Sequence, residues 1–317
     1  MMPQSLALLL LLIIIVVMTS STSNAFSVID SHLHVWATAD ESKSSSFPYA
    51  SEDQTPPSQL QNEASPEKLL EQMDKAGVDG ALIVQPINHK FDHSYVTNAM
   101  KKYPNKFKGM LLHDPSLSSK LAVARLEELV LAGYVGVRFN PYLWPEGTLM
   151  SEDSGCGLAV YKRCGEMKIP VGIMCFKGLK LHIHDILALI SKSPETIMIL
   201  DHMGFCALND EGDEAFELLL SLAKKHPNVY VKVSALFRNT GEKDSFPYDK
   251  VKSERFIPLL EAFGANRLMM GSDFPFVLET EGSYKGAIDT VKSWCEGSDC
   301  DAIMGGTAEK LFGSWKS

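Results

Sequence analysis

Two histidines two residues apart, each behind the end of a short apolar run, are the first chemical signal in the chain. His32 and His34 follow residues 27–29, and side chains i and i+2 of a β-strand lie on the same face. Far downstream, His202 and Asp273 each follow another apolar run. Imidazole nitrogens and a carboxylate are ligands of catalytic Zn²⁺, and the same groups serve as general acids and bases.

Eight apolar segments that alternate with amphipathic helical stretches must position these residues. The predicted strands cover residues 27–31, 80–85, 107–112, 134–139, 171–175, 196–200, 229–233 and 267–270. Strands this apolar are buried on both faces, as in a parallel sheet covered by helices. We predict an α/β fold, a (β/α)8 TIM barrel, because such a barrel needs about 250 residues. No GxGxxG motif occurs, which disfavours a dinucleotide-binding sheet.

Catalytic groups of such a barrel lie at the carboxyl ends of its strands. Strands one and eight become neighbours when the barrel closes, so we predict a metal site formed by His32, His34 and Asp273. One divalent ion is expected there, with Zn²⁺ the first candidate, and a metal-free site is the alternative. Asp273 would take a proton from water while His202 orients that water. In the alternative structural interpretations, His202 is a core residue and Asp273 caps a turn.

Polar residues behind other strands would recognise the substrate. We predict six substrate-binding residues: Gln85, Asn88, His89, Arg138, Tyr142 and Arg238. A guanidinium holds a carboxylate with two parallel hydrogen bonds, so Arg138 indicates an anionic small molecule, although a structural salt bridge is equally compatible. Tyr142 and Trp144 are expected to form an apolar wall. His93 is expected on a helix surface.

Three motifs carry a resemblance to a known family. They are Asp-Ser-His-Leu-His-Val-Trp at residues 30–36, Leu-Asp-His-Met-Gly at residues 200–204 and Met-Gly-Ser-Asp-Phe-Pro at residues 270–275. The chain resembles the amidohydrolase superfamily and, within it, the amidohydrolase-related family. The last two motifs are most similar to the branch of 2-pyrone-4,6-dicarboxylate hydrolase and sugar-lactone hydrolases. The resemblance implies a TIM-barrel hydrolase.

Two departures from the family pattern bear on the metal. Members with two metals carry a carboxylated lysine on strand four, where this chain has Arg138. Mononuclear decarboxylases of the family add a histidine from strand five, where this chain has Cys175, interpreted as a buried thiol. The resemblance therefore implies one metal ion at most, and the lactonase branch includes an enzyme that works without one.

Three functions remain open at this point. The first is hydrolysis of a lactone, or a related cyclic ester, of a small carboxylic acid. The second is metal-dependent nonoxidative decarboxylation with the same residues. In the third, the chain is a non-catalytic barrel that binds a ligand. A formal net charge of -9 disfavours nucleic acid as a partner, because phosphate binding needs a basic face. A homo-oligomer is compatible with the sequence.

The N-terminal residues indicate a targeting leader. The run from Leu6 to Met18 is apolar and too short to span a membrane comfortably, and small residues follow at Ser23 and Ala25. We predict a leader over residues 1–25, cleaved before Phe26, and a catalytic domain over residues 26–317. The cleaved protein would enter the secretory pathway or leave the cell, without stable membrane insertion. Plastid targeting and a retained membrane anchor are the alternatives.

Overall fold

Eight parallel strands surround a common axis in the computed structural model, which describes residues 26–44 and 46–315. The strands run in sheet order from first to last along the chain. This order, with helices between the strands, confirms the predicted TIM barrel. The strands are β1 Ile29–Leu33, β2 Gly80–Val84, β3 Phe107–Leu112, β4 Tyr134–Phe139, β5 Val171–Ile173, β6 Met198–Leu200, β7 Val229–Val233 and β8 Leu268–Met270.

Helices follow the strands and cover the outside of the barrel. A π-turn over Lys252–Phe256 joins α8 to α9, and another over Ala302–Gly306 joins α11 to α12. The helices are α1 Ala39–Lys43, α2 Pro66–Ala76, α3 Ser94–Lys102, α4 Ser119–Leu131, α5 Cys156–Met167, α6 Ile183–Lys192, α7 Asp210–Lys225, α8 Asp249–Val251, α9 Ile257–Phe263, α10 Ser283–Ser293, α11 Gly297–Asp301 and α12 Thr307–Phe312.

Helix α2 illustrates how local sequence sets the boundaries of an element. The Ser65 side chain accepts a hydrogen bond from the backbone N–H of Lys68, and Pro66 occupies the first helical position. Gly77 ends the helix in the left-handed conformation, with φ 66°. These bounds are the ones that the Pro and Gly signals predict from the sequence.

The core has two layers, one between strands and helices and one inside the barrel. The inner layer is formed by alternate strand residues, and the C-terminal segment covers its lower end with Phe312 and Trp315. Trp315 donates its indole N–H to the carbonyl of Ala81, 3.2 Å away, near the start of β2. The amino ends of the strands are therefore closed by apolar packing, which leaves the carboxyl ends to carry polar groups.

The barrel closes just beyond β1 and β8. The backbone N–H of His34 donates to the carbonyl of Phe274 at 2.7 Å, and that of Asp273 donates to the carbonyl of His32 at 2.8 Å. The register of β1 shifts between Asp30 and Leu33, as at a β-bulge. Bulges re-aim side chains near active sites. The predicted metal ligands thus stand on the closing seam itself.

The predicted leader, residues 1–25, lies outside the described residues. Among the helices that the structure describes, none is both long enough and apolar enough to cross a bilayer. The six cysteines are buried free thiols.

Candidate active site

Three imidazoles and one carboxylate converge at the carboxyl ends of the strands. Donor atoms of His32, His202 and Asp273 lie within 4.8 Å of one another, and all three residues are buried. The Nε2 atoms of His34 and His202 lie 3.7 Å and 3.8 Å from Oδ1 of Asp273. At this spacing a water molecule fits between an imidazole and the carboxylate better than a direct hydrogen bond does.

One hydrogen bond fixes the orientation of His34. Its Nδ1 lies 2.8 Å from the carbonyl oxygen of Val84, which accepts hydrogen bonds only. Nδ1 therefore carries the proton, and Nε2 presents its lone pair to the cavity. Burial, together with the neighbouring His32 and Arg138, holds the pKa of His34 well below its usual range. His34 is thus neutral at physiological pH.

The backbone around His202 and Asp273 adopts a conformation that most residues avoid. His202, Met203 and Phe205 have φ values of 53°, 52° and 55°, and Asp273 has a φ of 64°. A non-glycine residue in the left-handed region carries strain that surrounding structure must offset, and such residues concentrate at functional sites. The segment after β6 consequently turns sharply enough to bring both His202 and Phe205 to the cavity.

A buried ion network lies beneath the histidines and was not predicted from the sequence. Asp201 accepts from Nε of Arg138 at 3.1 Å and lies 3.4 Å from Nζ of Lys232. It is also 3.2 Å from Nδ1 of His32. Burial alone would raise the pKa of Asp201, but Lys232, His32 and Arg138 together hold it well below its usual range. The sequence did carry a signal, since Lys232 is a charged residue inside the apolar strand β7.

His32 retains one nitrogen for chemistry. Nζ of Lys232 lies 3.1 Å from its Nδ1, while its Nε2 is buried and has no hydrogen-bond partner among the described residues. Burial first, and Lys232 second, lower the pKa of His32 to about 3, so the ring is neutral. A buried unpaired imidazole nitrogen beside a second imidazole and a carboxylate fits the ligand set of one divalent cation.

Asp273 is tuned toward neutral pH. Burial raises its pKa to about 6, and the opposing effect of the Arg238 guanidinium limits the rise. Nε of Arg238 donates to Oδ2 of Asp273 at 2.9 Å, which leaves Oδ1 facing the two histidines. A carboxyl group with a pKa near the working pH is suited to general base catalysis.

A cavity of about 280 Å³ opens above this cluster. His34, His202 and Asp273 line it, so the predicted catalytic groups face the enclosed space. Arg138, Asn88 and Arg238, three of the predicted substrate-binding residues, line it as well. Much of the remaining wall is apolar and includes Trp36, Ile87, Met174, Phe176, Phe205 and Phe276.

The other three predicted substrate-binding residues do not line this cavity. Nε2 of Gln85 donates to the carbonyls of Lys90 and Asp92. His89 uses both ring nitrogens on backbone groups of the loop after β1. The Tyr142 hydroxyl accepts from the backbone N–H of Lys177. Their polar groups hold loops together, so we withdraw Gln85, His89 and Tyr142 from the proposed substrate contacts.

Two expectations about neighbouring residues were wrong. Trp144 does not join the cavity wall, because its ring packs 5.2 Å from both His113 and Phe139. His93 is buried rather than on the surface, and its Nε2 accepts a hydrogen bond from the backbone N–H of Leu112. Both side chains pack in the core because adjacent strands offer them partners that local sequence does not reveal.

Comparison with known proteins agrees with this architecture. An L-fucono-1,5-lactonase of Burkholderia ambifaria is 30% identical over 134 residues, which are 42% of this chain and 44% of the relative. A 4-sulfomuconolactone hydrolase of Rhizobium radiobacter is 26% identical over 250 residues, 78% of this chain and 75% of the relative. The chain thus matches under half the length of the lactonase and three quarters of the second relative.

Solved structures share the fold. The crystal structure of a probable 2-pyrone-4,6-dicarboxylic acid hydrolase from Acinetobacter baumannii superposes with a TM-score of 0.71 and 19% sequence identity, over 90% of this chain and 99% of that one. The model of the family described as amidohydrolase matches residues 29–314. Because that match spans most of the sequence, from β1 to the segment beyond α12, the chain belongs to the amidohydrolase family and is a hydrolase of that family.

Proposed function

We propose that this protein opens a lactone, or a related cyclic ester, of a small anionic acid by adding water. One observation carries the proposal: Oδ1 of Asp273 stands 3.7 Å from Nε2 of His34 and 3.8 Å from Nε2 of His202, at the wall of a closed cavity. A single water molecule there would contact a base and two imidazoles at once. The lactone-acting relatives support the same class of reaction.

The residues divide the reaction between them. Asp273 removes a proton from the water, the water oxygen bonds to the lactone carbonyl carbon, and the ring C–O bond then breaks. The proton held by Asp273 passes to the departing ring oxygen. Nδ1 of His202 lies 2.7 Å from the Ser234 hydroxyl, and with that hydroxyl donating, Nε2–H is free to stabilise the developing oxyanion.

Arg138 anchors the acid group in this scheme. Its Nε is used by Asp201, but its terminal nitrogens have no hydrogen-bond partner in the part of the chain that is described. A guanidinium edge with two free donors at a cavity wall matches a carboxylate. The ion pair with Asp201 holds this edge in place, so the structural and substrate-binding interpretations of Arg138 are compatible.

One divalent metal ion, with Zn²⁺ the first candidate, fits His32, His34 and Asp273. When bound, such an ion would supply Lewis-acid polarisation and lower the pKa of a coordinated water. The same residues also support hydrolysis without it, since Asp273 has a base-competent pKa and the imidazoles are neutral.

The Asp273→Asn variant tests the proposal. We expect kcat for lactone opening to fall by roughly 10²- to 10⁴-fold with little change in KM, because the amide cannot accept the proton. Asp289→Asn, at a surface ion pair with Lys285, is the matched control and should keep full activity. Mass analysis should show one added water in the product. Undiminished turnover in Asp273→Asn would overturn the proposal, and CO2 release would indicate a decarboxylase.

We further propose that residues 1–25 are removed and that the mature chain starts at Phe26 in the secretory pathway. The apolar run and the small residues before Phe26 support this. N-terminal sequencing of the protein isolated from its natural cells is the test, and recovery of Leu6 to Met18 in the mature chain would exclude the proposal.

A further inference from the structure

The cavity has two aromatic pairs that come from different sides of the barrel. Trp36 follows β1 and Phe276 follows β8, with ring centroids 5.8 Å apart. Phe176 follows β5 and Phe205 follows β6, with centroids 5.7 Å apart. In an eight-stranded barrel, β1 and β8 are adjacent, whereas β5 and β6 lie across the axis from them. We call the space between the two pairs the aromatic slot.

The aromatic slot offers few partners to hydroxyl groups. Among the described residues that line it, the neutral polar side chains are Asn88 and Asn140. Nδ2 of Asn88 already donates to the carbonyl of Gln54, and Oδ1 of Asn140 already accepts from the backbone N–H of Tyr142. Each unpaired hydroxyl buried on binding costs about 1–3 kcal/mol. A ring with several hydroxyls would therefore bind poorly, whereas flat aromatic faces favour a flat ring.

The charges that line the slot match a single anion. Arg138 and Arg238 are cationic and Asp273 is anionic in its base form, while His34 and His202 are neutral because their pKa values are lowered. The sum is one positive charge. Arg238 is already paired with Asp273 and stacks on the Phe276 ring at 5.1 Å, so Arg138 remains to bind the anion.

Two apolar side chains mark the mouth of the slot. Phe176 is 54% exposed and Ile87 is 36% exposed, and both line the cavity. Exposed large apolar residues at the rim of a cavity indicate an apolar ligand portion that extends toward solvent. The cavity is therefore apolar from its wall to its opening, apart from the catalytic groups and Arg138.

From these features, and resting on the proposed lactone opening, we propose that the substrate is a flat, unsaturated lactone with one anionic group and an apolar extension. Phe176 and Phe205 determine this specificity from one wall of the aromatic slot. Polyhydroxylated lactones and flat dianionic lactones are disfavoured, the first by unpaired hydroxyls and the second by a missing countercharge.

A lactone panel that varies one property at a time tests the proposal on the purified protein. Coumarin-3-carboxylate is a flat monoanion, coumarin is flat and neutral, D-glucaro-1,4-lactone is a hydroxylated monoanion, and 2-pyrone-4,6-dicarboxylate is a flat dianion. We expect kcat/KM to be highest for coumarin-3-carboxylate, by tenfold or more. Binding of chromone-2-carboxylate, a flat monoanion that is not a lactone, is measured separately by calorimetry.

Phe176→Ala should weaken chromone-2-carboxylate binding about two- to tenfold, the usual range for loss of one aromatic contact. Truncating this half-exposed ring leaves the core intact. Leu181→Ala is the control, since Leu181 is 64% exposed and outside the cavity lining, and it should bind like the wild type.

The results separate the two proposals. Faster opening of D-glucaro-1,4-lactone or of the dicarboxylate overturns the inferred substrate class and leaves the lactonase proposal standing. If no lactone is opened but chromone-2-carboxylate binds with the expected dependence on Phe176, the slot's ligand class is supported and the lactonase proposal fails. Absence of both turnover and binding overturns both.

Discussion

At the scale of single residues, the pKa of Asp273 sets the pH range of the reaction. Burial raises it to about 6. The base form of the carboxylate is therefore lost as pH falls through 6, and kcat/KM should fall with it by about tenfold per pH unit below that point. A pH–rate profile of protein freed of metal measures this limb. A flat profile between pH 4 and 7 would contradict the assignment of Asp273 as the base.

Arg238 offsets part of that rise, which gives a second prediction. Replacing it in Arg238→Gln removes both the positive charge and the hydrogen bond that favour ionised Asp273. The pKa of Asp273 should rise further, and the acidic limb should move to higher pH. Arg163→Gln, which breaks surface pairs with Glu127 and Glu166, should leave the limb unmoved. An unshifted limb in Arg238→Gln would show that the limb belongs to another group.

Lys232 bears on the affinity of the site for metal. Its ammonium lies 3.1 Å from Nδ1 of His32, where it competes with Asp201 for that nitrogen and repels a dication. Lys232→Met should therefore bind Zn²⁺ at least about tenfold more tightly, a difference of about 1.4 kcal/mol. Titration against a competing chelator measures it, with the exposed Lys250→Met as control. Equal or weaker zinc binding would remove this role from Lys232.

The sequence indicates the four converging residues because each is a reactive type placed just after an apolar strand. It does not indicate the ion network under them. A lysine inside a strand is ordinarily assigned to an outward face, and only the barrel shows that Lys232 shares the inner face with Tyr230, two residues earlier. The partners of Arg138 and Arg238 lie 63 and 35 residues away in the chain, beyond the reach of local patterns.

At the scale of elements, Gly271 allows β8 to approach β1 and β7. A Cβ atom at this position would meet Cβ of His32 at 2.8 Å and its backbone nitrogen at 3.0 Å. Gly271→Ala should therefore displace His32 relative to Asp273 and lower kcat roughly 10- to 100-fold, since small misplacements of catalytic groups are costly.

Gly286→Ala is the control for Gly271→Ala. Gly286 lies within α10, where Ala is favoured over Gly by about 0.5–1 kcal/mol, and its nearest neighbour is the Phe246 side chain rather than backbone. Kinetics and thermal unfolding of both variants are compared. Wild-type kcat in Gly271→Ala would show that the close approach of the strands does not position the site.

The strands were predicted to within two residues at almost every end because buried apolar runs are visible without tertiary information. The exceptions have physical causes. β5 and β6 have only three residues each, since irregular backbone takes over where the site begins. The bounds of α3 escaped prediction, although Tyr95, Val96, Ala99 and Met100 form its buried face. The polar loop at residues 39–64 is tied to the loop after β2, for example by the contact of Pro48 with His89.

At the scale of the whole molecule, the barrel separates stability from chemistry along its axis. The site lies beyond the carboxyl ends of the strands, whereas Trp315 closes the amino end against Gly80 and Ala81. No local pattern predicts this closure, because Trp315 and β2 are more than 230 residues apart. The distance between the two ends implies that each can be altered while the other keeps its geometry.

Trp315→Ala tests that separation. The free energy of unfolding should fall by about 3–5 kcal/mol, the usual cost of truncating a buried tryptophan. Trp315→Phe keeps most of the packing and loses the hydrogen bond to Ala81, so it should cost only about 0.5–1.5 kcal/mol beyond the difference in size. Denaturant unfolding measures both. Below the unfolding transition, kcat/KM of both variants should equal that of the wild type, because strand β2 transmits no displacement to His34 unless its carboxyl end, where Val84 holds the imidazole, moves as well. A loss of kcat/KM in folded Trp315→Ala would show instead that the two ends are mechanically coupled through the strands.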